Sequence, residues 1–372
     1  MSIKVWDYLA EYASERTDIL AAVDRVFSSG TLVLGNSVRS FENEFSAYTD
    51  ALFGVGVDNA TNGLALAMKA VGVGPGDEVI TVSNTAVPTV SAIAQIGAIP
   101  RFVDVHVDDA LLDVSLLPNA LTKRTKCIIP VHLYGQCVDM DPLNDFARAH
   151  GLTVIEDCSQ SHGAKYKNRK AGSLGDLGVF SFYPTKPLGG YGDGGIVVTS
   201  RPDLDQKLRS LRFYGMKGVY YADELGFNSR LDEVHAEILR FKLSRLDQYN
   251  ARRRVLADEY RRLLFDSDII LPTESNNNLH VYYVFVVRHR LRDRVLAALK
   301  RRDIHLNISY PWPIHTMRGF AYLGYNEGDF PVTEFLAREI FSLPMYPSLS
   351  LQTQVEVCSA LREVLAEAAE EN

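Results

Sequence analysis

In two segments of the sequence, a strand-like run is followed by acidic or basic residues that could take part in catalysis. Residues 154–164 lead from an apolar run into the acidic pair Glu156 and Asp157, and residues 180–186 lead from an aromatic run to Lys186. In open α/β sheets, ligands bind beyond the carboxyl ends of strands, so this spacing is typical of a site. Desolvation would make the lysine a nucleophile or a proton carrier. A surface lysine and a capping aspartate fit the same spacing.

A third segment has the pattern of an anion site. Residues 59–63, Asn-Ala-Thr-Asn-Gly, join a short strand-like run to a helical one. The N-terminus of a helix presents unpaired N–H groups and a partial positive charge, and both suit a phosphate. A helix cap without a ligand is the alternative interpretation.

Residues 190–195 match the pattern G-x-G-x-x-G, but their context argues against a dinucleotide site. That motif must open a helix, whereas the strand-like run 196–200 follows here. The fold also requires an acidic residue about 20 positions further on, at the end of a second strand. The glycines therefore favour a tight turn beside a ligand, although an ordinary glycine-rich turn fits them too.

The elements around these segments predict an α/β protein. Strand-like and helical runs alternate from residue 53 to residue 156, for example strand 78–83 and helix 87–97, which is typical of a mostly parallel sheet. Two more strands, 178–183 and 195–200, follow each other without a long helix, so we expect a mixed sheet with a local hairpin.

The C-terminal part predicts a second, smaller domain. Long amphipathic helices are expected over 231–249 and 252–264, followed by a strand at 281–287, a helix at 291–301, a strand-like piece at 304–308 and two more helices. We place the boundary between the helices, which gives a large domain at 1–248 and a small α/β domain at 249–372.

The composition excludes several classes of protein. The 372 residues are 47% hydrophobic and contain four cysteines, which argues against a disordered chain and against a disulfide scaffold. The net charge of −7 argues against a nucleic-acid partner. The sequence has neither a signal peptide nor a long apolar run, so we expect a cytoplasmic protein without a membrane partner. The absence of a Cys-x-x-Cys pair gives no reason to expect a metal.

Several motifs together resemble the DegT/DnrJ/EryC1/StrS family of sugar aminotransferases, which use pyridoxal 5′-phosphate (PLP). The resemblance extends from about residue 29 to residue 349. The motifs are GPGDEVI (74–80), EDCSQSHGA (156–164), FSFYPTKPLGGYGDGG (180–195), FNSRLDEVHAEIL (227–239), YPWPIH (310–315), GDFPVTE (328–334) and SLPMYP (342–347). The resemblance implies an aspartate-aminotransferase-like (type I) α/β fold, with a mixed, mostly parallel central sheet and a smaller C-terminal α/β domain.

The resemblance also implies a PLP site. Lys186 matches the lysine that forms the Schiff base and moves protons, and Asp157 matches the carboxylate beside the pyridine nitrogen. Gln160 matches a partner of the ring hydroxyl. The remaining cofactor positions are Ala60, Thr61, Asn84, Ser181 and Asn228. Asn228 matches an asparagine that reaches the phosphate of the neighbouring subunit's cofactor, which implies a homodimer with shared active sites.

Four residues match positions near the substrate: Tyr183, Tyr310, His315 and, behind the strand of Asp157, His162.

Three departures from the family pattern stand out. Residues 83–87 lack the aromatic that often stacks on the cofactor, so we expect Asn84 and Ala86 or another residue to cover that face. Pro187 replaces an asparagine, and the turn 59–61 reads Asn-Ala-Thr instead of Ser-Gly-Thr.

The resemblance therefore implies an aminotransferase that moves an amino group from L-glutamate to a nucleotide-linked, dTDP-bound keto-deoxy sugar. Residues 84–87 favour a 3-keto-6-deoxyhexose, and a 4-keto sugar is the alternative. A sugar dehydratase of the same fold would carry histidine in place of Lys186. A non-catalytic member would lack Lys186 or Asp157, and both are present.

Overall fold

A computed structural model describes residues 2–218 and 220–370 of the chain. The α-helices are α1 Tyr8–Ser29, α2 Asn36–Tyr48, α3 Ala60–Ala70, α4 Val87–Gln95, α5 Leu117–Ala120, α6 Met140–His150, α7 Pro202–Leu211, α8 Glu233–Leu243, α9 Leu246–Leu264, α10 Arg292–Arg301, α11 Pro331–Glu339 and α12 Leu351–Glu370. None of the helices in these two stretches is long and apolar enough to cross a bilayer.

The strands form one large sheet and several small ones. They are β1 Ile3–Lys4, β2 Phe53–Val57, β3 Glu78–Val82, β4 Ile99–Val103, β5 Thr125–Ile128, β6 Thr153–Asp157, β7 Lys165–Tyr166, β8 Arg169–Lys170, β9 Leu177–Ser181, β10 Gly195–Thr199, β11 Met216–Gly218, β12 Tyr221–Ala222, β13 Asn278–Leu279, β14 Phe285–Arg288, β15 Ile304–His305 and β16 Ile340–Leu343.

The large sheet has seven strands in the order β2-β10-β9-β6-β5-β3-β4. Strands β4, β3, β5, β6 and β9 run parallel, whereas β10 runs antiparallel to both β9 and β2. The predicted mixed, mostly parallel sheet with a local hairpin is therefore confirmed. The strand that follows the glycine cluster is β10, so this cluster does not open a helix.

Helix α3 is buried against the large sheet along most of its length. Its sequence, ATNGLALAMKA, is rich in small and unbranched apolar residues that favour a helix and pack closely. Gly63 makes that approach possible, because a Cβ there would lie 2.9 Å from Cγ1 of Val179. The helix begins at Ala60, before the predicted start at residue 63, because the side chain of Asn59 caps it by accepting from the N–H of Asn62 at 2.9 Å.

The C-terminal part has its own core, to which the N-terminal strand β1 also belongs. This core packs helices α9, α10 and α12 around β14 and β16, and it includes Ile3 of β1, which pairs in parallel with β15. Helix α9 runs without a break through the predicted boundary at 248/249, and the helix predicted for 231–249 is interrupted at Ser244 and Arg245. The division into domains stays a prediction.

Two predicted strands of the C-terminal part are shorter in the structure. The one expected at 281–287 is confined to β14, because Val281 and Tyr283 donate instead to the carbonyls of Gly135 and Tyr134. The piece at 304–308 keeps only the two residues of β15. Helices α1 and α2 and strand β16 are not among the elements predicted from the sequence.

The buried Glu156 at the end of β6 organises the loop that follows. Its two carboxylate oxygens accept from the backbone N–H groups of Gly172, Leu174 and Gly175 at 2.8–2.9 Å and from Nε2 of His132 at 2.8 Å. Nδ1 of His132 accepts from a backbone N–H, so its Nε2 carries the proton that Glu156 receives. Cys158 lies close to this pair, but the carboxylate is already saturated by donors, so the cluster is structural.

We expect Glu156→Ala to lower the free energy of unfolding by about 3–5 kcal/mol, because it leaves several buried donors without an acceptor. Chemical unfolding followed by circular dichroism measures the effect. Asp145→Ala, which removes an exposed carboxylate, is the control and should stay close to wild type. Equal stabilities of the two variants would contradict this role of Glu156.

Candidate active site

A cavity of about 280 Å³ lies where the carboxyl ends of β6 and β9 meet the start of α3. Its volume is close to the lower end of the usual range for ligand pockets, roughly 300–1,000 Å³. The structure brings together in its wall seven residues selected from the sequence: Ala60, Thr61, Asp157, Gln160, Ser181, Tyr183 and Lys186. A mostly parallel sheet produces this arrangement because the carboxyl ends of its strands share one edge.

One end of the cavity is suited to an anion. The first turn of α3 presents the backbone of Ala60 and Thr61 there, and Ser181 contributes a hydroxyl. First-turn N–H groups have no partner within their helix, so they are available to a ligand. Gly195 lets β10 pass close to this turn, because a Cβ there would lie 2.8 Å from the carbonyl carbon of Asn59.

Asp157 presents a buried carboxylate to the cavity from the end of β6. Its side chain has two donors: the N–H of Ser159 donates to Oδ1 at 3.1 Å, and Oγ1 of Thr89 donates to Oδ2 at 2.8 Å. Both hydrogen bonds hold the carboxylate in place. Ser159 and Thr89 line the cavity as well, and the sequence analysis selected neither.

Lys186 follows β9 in a turn closed by its own N–H, which donates to the carbonyl of Tyr183 at 2.9 Å. Its Nζ lies 4.9 Å from the ring centroid of Tyr283, a cation–π contact that restrains the side chain. Tyr283 in turn pairs its hydroxyl with Thr185 at 3.0 Å. No motif points to Tyr283, since its contact with Lys186 depends on residues 97 positions apart in sequence.

Gln160 connects the cavity wall to two tyrosines behind it. Its Oε1 accepts from the N–H of Tyr134 at 2.8 Å, and its Nε2 donates to the hydroxyl of Tyr310 at 2.7 Å. The rings of Tyr134 and Tyr310 stack with their centroids 6.4 Å apart. Burial raises the pKa of Tyr310 well above its ordinary value, so its hydroxyl stays protonated. Tyr310 thus supports the wall through Gln160.

Residues 13–362 match the model of the DegT/DnrJ/EryC1/StrS aminotransferase family. The chain belongs to this family. It is 56% identical to the dTDP-3-amino-3,4,6-trideoxy-alpha-D-glucose transaminase of Micromonospora megalomicea, a match that covers 98% of this chain and 99% of that one. It is 40% identical to the UDP-N-acetyl-3-dehydro-alpha-D-glucosamine 3-aminotransferase of Acidithiobacillus ferrooxidans, with 98% of each chain covered.

The crystal structure of DesV from S. venezuelae, in complex with a ketimine intermediate, superimposes on this chain with a TM-score of 0.95. The two chains are 41% identical, and the match covers 97% of this chain and 98% of DesV. The predicted fold class is confirmed, and the protein is an enzyme of the transaminase type.

Two residues expected at the site of this aminotransferase lie elsewhere. Asn84 is 3% exposed, and its Nδ2 faces the carbonyl of Ala110 at 3.4 Å, so Thr85 and Ala86 form the wall in its place. His315 is buried between Oγ of Ser83 at 2.7 Å and Oε1 of Glu334 at 3.0 Å. Its two ring nitrogens are therefore engaged in holding the segment that carries Tyr310, and it does not line the cavity.

His162 is also removed from the cavity. Its ring is fully buried among Phe45, Phe180 and Phe182, and neither ring nitrogen makes a hydrogen bond of ordinary geometry. Burial, together with the nearby charge of Lys186, lowers the pKa of His162 to about 3. The ring is neutral and packs as an apolar group, so the expected contact with the substrate is corrected to a packing role.

Asn228 is exposed and does not line the cavity of its own chain. The next residue, Ser229, donates to Asp58, which directly precedes the turn at Asn59. Asn228 thus lies on the outer surface near the anion end, and its contact with a neighbouring subunit stays a prediction.

The neutral, buried His162 should make the protein less stable in mild acid. The unfolded histidine, with a pKa near 6.5, binds a proton between pH 6.5 and 3, whereas the folded one does not, so stability falls as the pH falls through this window. His162→Leu should reduce the loss of unfolding free energy between pH 7 and pH 5 by about 2 kcal/mol, measured by urea unfolding. His150→Leu, at an exposed position, is the control, and an equal effect of both variants would contradict the prediction.

Proposed function

We propose that this aminotransferase binds PLP in the cavity and transfers the amino group of L-glutamate to C3 of a dTDP-linked 3-keto-6-deoxyhexose. One observation carries the proposal: Lys186, Asp157 and the first turn of α3 line the same cavity. The 56% identical relative is named for a dTDP-3-amino sugar, and a 40% identical one for a 3-aminotransferase, which supports C3 over C4.

The residues of the cavity fit the three reactive parts of PLP. The first turn of α3, with Thr61 and Ser181, offers N–H and hydroxyl donors to the phosphate. Asp157, fixed by two donors, offers an anion to the ring nitrogen. Lys186 offers an amine to the aldehyde carbon. Ala86 and Pro88 supply the small apolar wall where relatives often have an aromatic ring.

When bound, PLP supplies an electron sink for the carbanion at the carbon that loses or gains the amine. Asp157 supports this by holding the proton of the ring nitrogen. Nζ of Lys186 would carry the proton of Cα of the amino donor to the cofactor, and in the second half-reaction it would carry a proton from the cofactor to C3 of the sugar, since it can alternate between amine and ammonium. Contact with the ring of Tyr283 restrains Nζ beside the cavity.

We further propose a homodimer in which Asn228 of one subunit reaches the cofactor phosphate of the other. An exposed apolar segment supports a partner interface: Phe27, Leu32 and Val33 are 63%, 53% and 47% exposed, and Val33 pairs with Asp232, four residues after Asn228 in sequence. A partner subunit would bury these apolar side chains. The cytoplasm is the proposed location.

Lys186→Ala should bind PLP without a covalent bond. Wild-type protein treated with PLP and borohydride should carry the cofactor on a peptide that contains Lys186, as seen by mass spectrometry. The variant should lose the cofactor on denaturation. Lys126→Ala, an exposed lysine on β5, is the control and should be labelled like wild type. If borohydride still fixes PLP to Lys186→Ala, the assignment of this lysine is wrong.

The PLP-loaded protein should aminate a dTDP-linked 3-keto-6-deoxyhexose with L-glutamate as donor. Mass spectrometry and NMR of the product should show nitrogen at C3, and the 4-keto isomer should be a much poorer substrate. L-Aspartate and L-glutamine serve as comparison donors. Faster amination of the 4-keto sugar would contradict the assignment of C3, and a preference for another donor would contradict the assignment of glutamate.

A further inference from the structure

We propose that Thr89 is a positioning residue that holds the carboxylate of Asp157 oriented toward the cofactor ring. The inference rests on the proposed function, in which Asp157 faces the ring nitrogen. Thr89 lies in the first turn of α4 and is not among the site residues predicted from the sequence. Its hydroxyl reaches Asp157 across the cavity wall from a different element of the fold.

Two buried hydroxyls form a chain that ends on the carboxylate. Oγ1 of Thr85 lies 2.9 Å from Oγ1 of Thr89, which lies 2.8 Å from Oδ2 of Asp157. Both threonines are 1% exposed, so water does not replace these contacts in the folded chain. Pro88 is the second residue of α4, immediately before Thr89, and its ring restrains the backbone from which this hydroxyl is presented.

The chain has a defined direction when Asp157 is ionised. A carboxylate only accepts hydrogen bonds, so Thr89 must donate its one hydroxyl proton to Oδ2. Thr89 then has only lone pairs for Thr85, and Thr85 must donate to it. The N–H of Ser159, which can only donate, engages Oδ1 in the same way. The two hydroxyl dipoles therefore align toward the carboxylate and favour its charge.

Fixing both oxygens also fixes the lone pairs that remain for a ligand. With Oδ1 and Oδ2 each held by one donor, the carboxylate cannot rotate freely, and its open side faces the cavity. Loss of the Thr89 hydroxyl would leave Oδ2 buried without this donor and would weaken the charge that holds the proton of the ring nitrogen.

The test compares Thr89→Val, Thr89→Ser and the control Thr81→Val. Valine keeps the shape of threonine but removes the hydroxyl, whereas serine keeps the hydroxyl. Thr81 is equally buried, but its hydroxyl donates to the carbonyl of Ile129 at 2.9 Å and does not contact Asp157. The first readout is the Kd of the apoprotein for PLP, measured by equilibrium dialysis. We expect about a tenfold increase for Thr89→Val, and values near wild type for Thr89→Ser and Thr81→Val.

The second readout is the protonation of the cofactor itself. The ¹⁵N chemical shift of PLP labelled at the ring nitrogen is followed from pH 6 to pH 10 in each holoprotein. In Thr89→Val the ring nitrogen should lose its proton at lower pH than in wild type, and in Thr89→Ser and Thr81→Val it should not. A purely structural role of Thr89 would leave this titration unchanged.

The outcomes separate this inference from the proposed function. A wild-type protein that binds no PLP overturns the proposed function and this inference with it. A wild-type protein that binds PLP, together with a Thr89→Val variant that titrates like wild type, overturns the inference alone, as does a Thr89→Ser variant that behaves like valine. If Thr89→Val does not fold, Thr85→Val tests the chain from its other end: a shift in the same direction supports the inference, and an unchanged titration overturns it.

Discussion

The alternation of side chains at the end of β6 is the constraint on which the site depends. Neighbouring residues of a strand point to opposite faces of the sheet, so Glu156 and Asp157 are adjacent in sequence but serve different sides. Glu156 is saturated by buried donors and holds the loop at residues 172–175, whereas Asp157 keeps its open side toward the cavity. A one-residue shift in the register of this strand would exchange the positions of the two carboxylates. The loop at residues 172–175 would lose its acceptor, and the cavity would lose the carboxylate that is proposed to face the cofactor ring.

Residues that line the cavity are held in place by segments from far along the chain. Tyr283 contacts Lys186, and Tyr310 hydrogen-bonds to Gln160. His315 hydrogen-bonds to Ser83, which follows β3, and to Glu334, which lies in α11. These contacts connect the C-terminal part to the edge of the sheet where the cofactor is proposed to bind. They explain why the motif YPWPIH can contribute to the site although none of its residues lines the cavity.

The net charge of −7 does not describe the electrostatics of the site. The proposed cofactor is doubly anionic and the proposed substrate carries a nucleotide diphosphate, and both would bind to a protein that is acidic as a whole. Local donors outweigh the overall charge because Coulomb interactions between exposed groups are screened within about 10 Å, whereas the first turn of α3 and Lys186 act at contact distance. The hydroxyl of Thr89 also acts at contact distance, because it lies 2.8 Å from Oδ2 of Asp157.

The sequence by itself determined the class of fold, the mixed sheet and the position of Lys186 and Asp157 at strand ends, because these depend on local periodicity and on residues close together in sequence. It also determined the family, through motifs that keep their order and spacing. Only the tertiary structure decided that Asn84, His162 and His315 lie outside the cavity and that Thr89 and Tyr283 contact its central residues. The physical reason is that side-chain contacts across elements depend on packing angles and on burial, and neither is encoded in local spacing. The local sequence around His162 does not reveal whether its side chain faces a ligand or packs among three phenylalanine rings.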